Sequence, residues 1–519
     1  CGSAPQTVAA NLFASDRVRN LTVNNAAGVT LSGPLNVTGV LLVQSGELAS
    51  DGHLTLASDA TRTALIDGSG TGNVTGLVTM QRYLPSRFGY RYFSSPFSAS
   101  TVSEFADDMD LASSFPMFYR YDESRTSSGW VSYTTGTAPL NQMEGYAVNF
   151  GSLSDPYTVD ATGEVTNGNV TVTLYNNNNT YTKGFNLVGN PYPSPVNWNA
   201  PGWTKTNIDN AIYFFSASTT DEYGGTYSSY VNGISSDGVA DSIIPSMQGF
   251  FVHVSDGSWP VTGTLAATNS VRINDQAQLF FKSAETTDRF LIRMSAAFTD
   301  DELSADPMVV YFDDQADPAF DKDLDALKLY NTDMMVTNLF SLLSGGQKLS
   351  VNALPLQTDS VVYVPLGLRT YRDGEVVFAL RDLENLPENV RIMFRDAVSG
   401  ANADMVSAGP YRVTLAAGDY ENRFALAILK STTGVETLPE EDELFSAYCY
   451  GDQLRANVGR VSGSEGTITV YDLGGRLVFA RKVFEPGRYN MDINLKKGIY
   501  LVNYISGSLS ATVKLAFGL

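Results

Sequence analysis

Six aspartates stand within thirteen positions of the segment YFDDQADPAFDKDLD: Asp313, Asp314, Asp317, Asp321, Asp323 and Asp325. Hard oxygen ligands gathered in one loop suit Ca2+. Carboxylates held within ~4–6 Å of one another raise each other's pKa, and a divalent ion removes that cost. The spacing lacks the glycine and closing glutamate of an EF-hand loop. The competing reading is a solvated acidic loop that caps a short helix over DKDLDALKLY, Asp321–Tyr330. A second acidic loop, Asp107, Asp108 and Asp110, is a weaker version of the same pattern. Ca2+ is the one cofactor these residues suggest.

Other chemistry has less to build on. A glycosidase needs two carboxylates, but no pair is singled out by its spacing. Trp130, Trp198, Trp203 and Trp259 fall in one region and could stack on glycans, against the alternative of core or turn packing. His53, in DGHLTL, reads as a solvated turn residue, and His253, in GFFVHV, as an outward-facing strand residue. Two histidines without HExxH do not make a zinc site. No Ser or Cys stands at a familiar spacing from both His and Asp, although triads are defined in space. The glycines of GSGTGNVTG, Gly68–Gly76, precede no helix that could hold a phosphate, so they are turn material. No enzymatic activity is expected.

These residues must be positioned by strands. The 519-residue chain is too long for one core. Short alternating runs rich in Thr, Ser, Asn, Val, Tyr and Phe, split by glycine, give an all-β, multidomain expectation. Residues 1–87 read as a short parallel β-solenoid. Apolar pairs such as Leu21/Val23, Leu35/Val37, Leu41/Val43 and Leu54/Leu56 recur, and Leu35 matches Leu54 at an offset of 19. An antiparallel sandwich is the alternative there. Two duplicated β units follow, 88–180 and 181–268. GYRYFSSPFS from Gly89 matches GFNLVGNPYP from Gly184, an offset of 95, and MEGYAVNF from Met143 matches MQGFFVHV from Met247, an offset of 104. Residues 269–431 carry seven or more strand-like runs and read as a β-sandwich. Residues 432–444 are an acidic linker, and 445–519 form a separate final unit.

Charge limits the partners. With 34 basic and 55 acidic side chains the net charge is −21, which repels phosphate backbones and excludes nucleic acid. No run reaches the ~18 apolar residues of a spanning helix. Cys1 and Cys449 are too few for a disulfide framework. Cys1, leading into CGS, fits a lipidated first residue and equally an arbitrary start of the chain, and both readings stay open.

The final unit holds three phrases: VYDLGGRLV (Val470–Val478), LKKGIYLVNY (Leu495–Tyr504) and TVKL (Thr512–Leu515). In this order at the end of a chain they resemble the C-terminal (type A) sorting domain of cargo carried by the type IX secretion system of Bacteroidetes-type bacteria. The residues that match are Tyr471, Asp472, Gly475, Arg476, Gly498, Tyr500 and Lys514, and Gly474 departs from the larger or polar residue usual in the family. FNLVGNPYPSPVNW and AFDKDLDALKL, further upstream, are phrases typical of such cargo. The resemblance implies an Ig-like β-sandwich of about seven strands. It also implies a secreted, cell-surface protein associated with the outer membrane, with the type IX translocon and its outer-membrane shuttle and sortase machinery as partners. Self-assembly or attachment to surface lipopolysaccharide is a further expectation. The expected role is adhesive or structural. The alternatives are the non-catalytic C-terminal portion of a larger secreted hydrolase and a carbohydrate-binding surface protein.

Overall fold

The computed structural model describes residues 3–276, 288–355, 361–387, 390–430 and 445–517, apart from single residues and short stretches in the last segment. The linker expected at 432–444 lies outside the described residues. The described elements are β-strands with three short 3-10 turns. No helix among them is long and apolar enough to cross a membrane. Two compact units emerge, residues 1–342 with 348–429, and residues 343–347 with 430–519.

The larger unit opens with the solenoid. Two parallel ladders rise side by side, with Leu21 opposite Leu41 in one and Leu35 opposite Leu54 in the other. The 19-residue offset is therefore the register of adjacent coils, and each coil buries its apolar row on the next. The second ladder does not stop at the solenoid. Leu77–Leu84 continues it in parallel beside Leu54–Leu56, then pairs antiparallel with Tyr157–Val165 of the first duplicated unit. Solenoid and first copy consequently share one core, in which Leu31, Val37, Phe97, Phe118 and Tyr146 are all buried.

The two copies have one topology. In the first, the sheet runs Tyr90–Ser94, Gly145–Asn149, Phe118–Tyr121, Trp130–Ser132; in the second it runs Phe185–Gly189, Gly249–Val254, Ile208–Ala217, Gly225–Val231. The registers agree as well, with Ser94 opposite Gly145 and Gly189 opposite Gly249. Gly89 and Gly184 have φ of 77° and 76°, and Met143 and Met247 have φ of 61° and 60°. Left-handed backbone at a methionine is rare, so its recurrence at matched positions marks a shared local conformation. Each copy also has an antiparallel pair outside this sheet, Leu77–Leu84 with Tyr157–Val165 and Val170–Asn176 with Val261–Ala267. This carries each unit one strand further towards the N-terminus than the boundaries at 88 and 181.

The copies meet about a local two-fold axis. Phe93 bridges Gln248, and the equivalent pair Val188 bridges Glu144. Ser94 N donates to Met247 O at 3.2 Å, and Gly189 N donates to Met143 O at 3.2 Å. Such reciprocity is the mark of an isologous interface. The backbones approach so closely that side chains do not fit. A Cβ at Gly145 would lie 2.5 Å from Val188 O, and one at Gly249 would lie 2.9 Å from Phe93 O. Ser94 and its counterpart Gly189 face each other, and a Cβ on Gly189 would sit 2.0 Å from that of Ser94.

Residues 288–430 form a mixed sheet in which Asp306–Phe312 runs parallel to Lys348–Leu354 and the other pairings given are antiparallel. The sheet curls so that Phe378, near one end of the strand path, packs on Phe394 and Phe424, near the other. One sandwich-like core results, with Ile292, Val364 and Leu426 inside. A further cluster joins this sheet to the copies through Tyr92, Phe185, Phe251, Leu291 and Val351.

The short helix expected over Asp321–Tyr330 does not form. Asp321 N donates to Asp325 Oδ2 at 2.8 Å and Asp323 N to Asp321 Oδ1 at 2.9 Å, so a turn is made by side chains that compete for the backbone. The chain then enters the two-residue strand Ala326–Leu327.

The dyad contact generates a prediction. Gly145→Ala and Gly249→Ala should each lower the unfolding free energy by about 1–3 kcal/mol through overpacking. Gly136→Ala, where the nearest atom to the new Cβ is Ser103 Cβ at 3.6 Å, should change little. Denaturant melts that rank all three alike would contradict the close approach.

Candidate functional site

The described residues of the sorting unit form seven strands in two sheets. Phe445–Tyr450, Gln453–Val458 and Gly487–Asp492 form one, and Leu477–Val483, Gly466–Asp472, Gly498–Ser506 and Leu509–Phe517 form the other. Phe445, Leu454, Ile468, Val470, Val502 and Tyr504 fill the space between them, with the Phe445 and Tyr504 rings stacked at 5.2 Å.

The motif residues divide by role. Asp472 makes the turn: its Oδ1 accepts from Gly474 N and Arg476 N, each at 3.0 Å, and its Oδ2 accepts from Arg476 Nε at 3.0 Å. Those backbone donors and the Arg476 guanidinium hold the Asp472 carboxyl below the usual range. Gly475 takes φ +78°, a conformation that glycine adopts without strain. Gly474 donates its N–H to Asp472, and a Cβ there would meet only Asp472 Oδ1 at 3.3 Å. Tyr500 is buried, and its hydroxyl donates to Lys496 O at 2.8 Å across Gly498.

Other residues of this unit face water. Leu477 lies opposite Tyr471, Tyr471 opposite Leu501, and Leu501 opposite Lys514, so the four form one row across four strands. Leu477 and Leu501 are exposed, Tyr471 is half-buried and Lys514 is exposed. Sequence reasoning named Tyr471 and Lys514 but missed Leu477 and Leu501. The alternation of the strands carried the signal for both.

The aspartates of 313–325 are not brought together. Asp313 Oδ1 accepts from Gln315 N, and its Oδ2 pairs with Arg289 at 2.8 Å. Asp317 Oδ1 accepts from Ala319 N, Asp323 pairs with Lys322, and Asp314 is exposed. Asp325 turns inward, where its oxygens accept from Asp321 N and from Ala353 N at 2.7 Å. Among the described residues no three His, Cys, Asp or Glu side chains converge as a metal site requires. Asp107, Asp108 and Asp110 are likewise apart in role: Asp108 is tied to the Tyr157 hydroxyl and Asp160 N, and Asp110 to Ala112 N.

The tryptophans are mostly structural. Trp198 is fully buried, which removes it as a stacking platform. It packs on Trp203 and Phe250, and the Lys205 ammonium sits 3.8 Å from its ring centre. Lys205 also donates to Trp198 O and Asn210 Oδ1, and burial pushes its pKa down to about 7. Trp203 is half-buried and donates to Asn197 O. Trp130 is half-buried against Tyr92, Tyr121 and Phe251. Trp259 alone of the four is largely exposed. Phe115 and Tyr223 are also exposed, their rings 5.1 Å apart.

The outward orientation expected for His253 is wrong. Every residue of Gly249–Val254 is buried, because this central strand is covered on both faces. His253 Nδ1 lies 2.6 Å from Asp209 Oδ2, and Ser255 Oγ donates to Asp209 Oδ1 at 2.5 Å. These are the residue types of a hydrolytic triad in the wrong order: the serine is on the aspartate, not on the histidine. His53 follows the turn residues Asp51 and Gly52, as expected, and is half-buried.

A family described as "Domain of unknown function (DUF8693)" matches residues 3–428, and a second, "Secretion system C-terminal sorting domain", matches residues 452–517. No curated protein matches the chain. Among solved structures, a two-domain fibronectin type-III segment of chicken tenascin is 11% identical, at a TM-score of 0.12, covering 31% of this chain and 97% of its own. A biofilm associated protein, BSP domain, is 11% identical at a TM-score of 0.17, covering 85% of this chain and 63% of its own. Likenesses at these scores carry no argument.

The buried aspartate that closes the acidic segment, Asp325, sets a pH dependence. Burial, with the Asp321 charge adding to it, raises the Asp325 pKa to about 7, although two backbone donors oppose the shift. The folded state therefore keeps a proton that the unfolded chain releases near pH 4. This contribution to stability is full below about pH 4 and is lost as pH rises through about 7. Burial raises Asp108 to about 6 and acts in the same direction. Asp325→Asn should lower the melting temperature below about pH 4, where it removes one acceptor from a neutral side chain, and should make it fall less between pH 5 and 8. A slope as steep as that of the parent chain would refute the assignment.

Proposed function

We propose that this chain, which belongs to the DUF8693 family and ends in a secretion system sorting domain, serves outside the cell as an adhesive or structural element. It is cargo of the type IX secretion system, and its sorting domain engages that machinery. Export delivers it to the cell surface or the extracellular space. The observation that supports an adhesive or structural role is the continuity of the larger unit. One ladder runs from solenoid to first copy, reciprocal backbone bonds join first copy to second, and a shared apolar cluster joins both copies to the curled sheet. A body joined in this way transmits load between modules without flexible joints among the described segments. The exposed row of Leu477, Tyr471, Leu501 and Lys514 is the surface we assign to recognition by the export machinery, while Asp472, Gly475 and Tyr500 maintain the fold beneath it.

Cells expressing the full chain, the chain lacking residues 445–519, and no chain separate the two halves of this reading. The truncated chain should stay inside, and attachment of those cells to a surface should fall to that of cells without the chain. Truncated chain reaching the surface at the normal level would overturn the targeting role. Retention of the truncated chain with attachment unchanged would overturn the adhesive role alone.

A further inference from the structure

Three buried side chains meet where the second copy abuts the curled sheet. Lys328 Nζ donates to Asp306 Oδ1 and Oδ2 at 2.7 and 2.6 Å. Asn331 Nδ2 donates to the same Oδ1 at 2.7 Å. Lys328, Asp306 and Asn331 are 8%, 1% and 2% exposed. Leu339 N completes the Asp306 shell at 2.5 Å. The Asn331 carbonyl accepts from Tyr227 N at 2.9 Å. An amine, an amide and a carboxylate in contact with both are thus sealed from water, with a backbone N–H on the amide oxygen.

As an ion pair alone, this arrangement is a weak source of stability. Desolvating two charges is costly, and their attraction repays it only where further hydrogen bonds satisfy both ions. Arginine is the usual cation for holding a buried carboxylate through two bonds. Lysine differs in one respect that matters here: it can lose its proton and become a nucleophile.

We propose that Lys328 and Asn331 form an intramolecular isopeptide bond, with Asp306 as the proton carrier. Nζ passes a proton to the Asp306 oxygen that it already contacts, which frees the amine. The free amine attacks Asn331 Cγ, and the oxyanion forms on Oδ1 against the Tyr227 N–H. Asp306 passes protons from the amine to the leaving nitrogen, the Cγ–Nδ2 bond breaks, and the Nζ–Cγ amide remains. The ammonium side chain and the carboxamide give a secondary amide and an ammonium ion. Asp306 ends as the carboxylate it began as, and no oxidant or cofactor is consumed. The bond spans only three residues of sequence. It fixes the turn between Ala326–Leu327 and Asn338–Leu342 and removes a buried charge pair.

Mass spectrometry of the purified full chain tests the proposal. The intact mass should fall about 17 Da, one ammonia, below that of the sequence, as expected when a lysine amine displaces an amide nitrogen. Trypsin acting on the denatured chain should fail to cut after Lys328 and should release 323–348 as one peptide carrying the deficit. Lys328→Arg, which keeps the charge, should show the full mass, as should Asp306→Asn. Full mass in the parent chain with normal cleavage after Lys328 would overturn the bond. A deficit confined to a peptide that starts at Leu329 would also overturn it, since that result marks ring closure at Asn331 itself. A deficit that persists in Asp306→Asn would remove Asp306 from the reaction.

Discussion

The larger unit depends on how near two backbones come. Where the copies cross, Gly145 passes the carbonyl of Val188 and Gly249 that of Phe93, with no room for a Cβ. This proximity lets Ser94 N and Gly189 N reach the carbonyls of the opposite copy. Those bonds occupy groups that would otherwise be open at the ends of two sheets. They also place Tyr92, Ala147, Leu187 and Phe251 in one cluster, and that cluster receives the curled sheet. Larger residues at the glycines would separate the copies, and the third sheet would lose its platform. Glu123 makes a second tie across the same seam. It is buried, and it accepts from Asn177 N, Asn177 Nδ2, Thr182 Oγ1 and Gly184 N.

Much of this order was legible because a duplicated unit must keep the residues its geometry cannot replace. Gly89 and Gly184 occupy a positive φ, and Gly145 and Gly249 occupy the crossing, so the matching phrases survived at offsets of 95 and 104. The solenoid was legible for a similar reason, since Leu35 and Leu54 are stacked neighbours. The orientation of single side chains was not. Alternation implies a wet face only when one face of the sheet is open, and the strand of His253 is covered on both. Trp198 was hidden in the same way, its indole N–H being satisfied by Asn210 O inside the core. The charged run after Asp321 resembled a helix by composition, but short side chains that bond nearby N–H groups favoured a turn. In the sorting unit the phrases identified the fold, yet most of what they contain holds up a turn or fills a core. The exposed partners Leu477 and Leu501 become visible only once register places them beside Tyr471 and Lys514.

The larger unit holds two clusters of buried polar groups. Asp209 with His253 and Ser255, and Asp306 with Lys328 and Asn331, are each surrounded by donors that satisfy them. Such groups cost free energy to bury and specify one packing when fully bonded.

Native-state hydrogen exchange at the dyad tests the central claim most directly. If the two copies stand on reciprocal backbone bonds, the amides of Ser94 and Gly189 open only with the larger unit as a whole. Their protection should be equal and should match that of the slowest core amides, such as Leu366 and Val310. If Gly189 exchanged through a low-energy opening while Ser94 stayed protected, or the reverse, the copies would be independent modules and the account would be wrong.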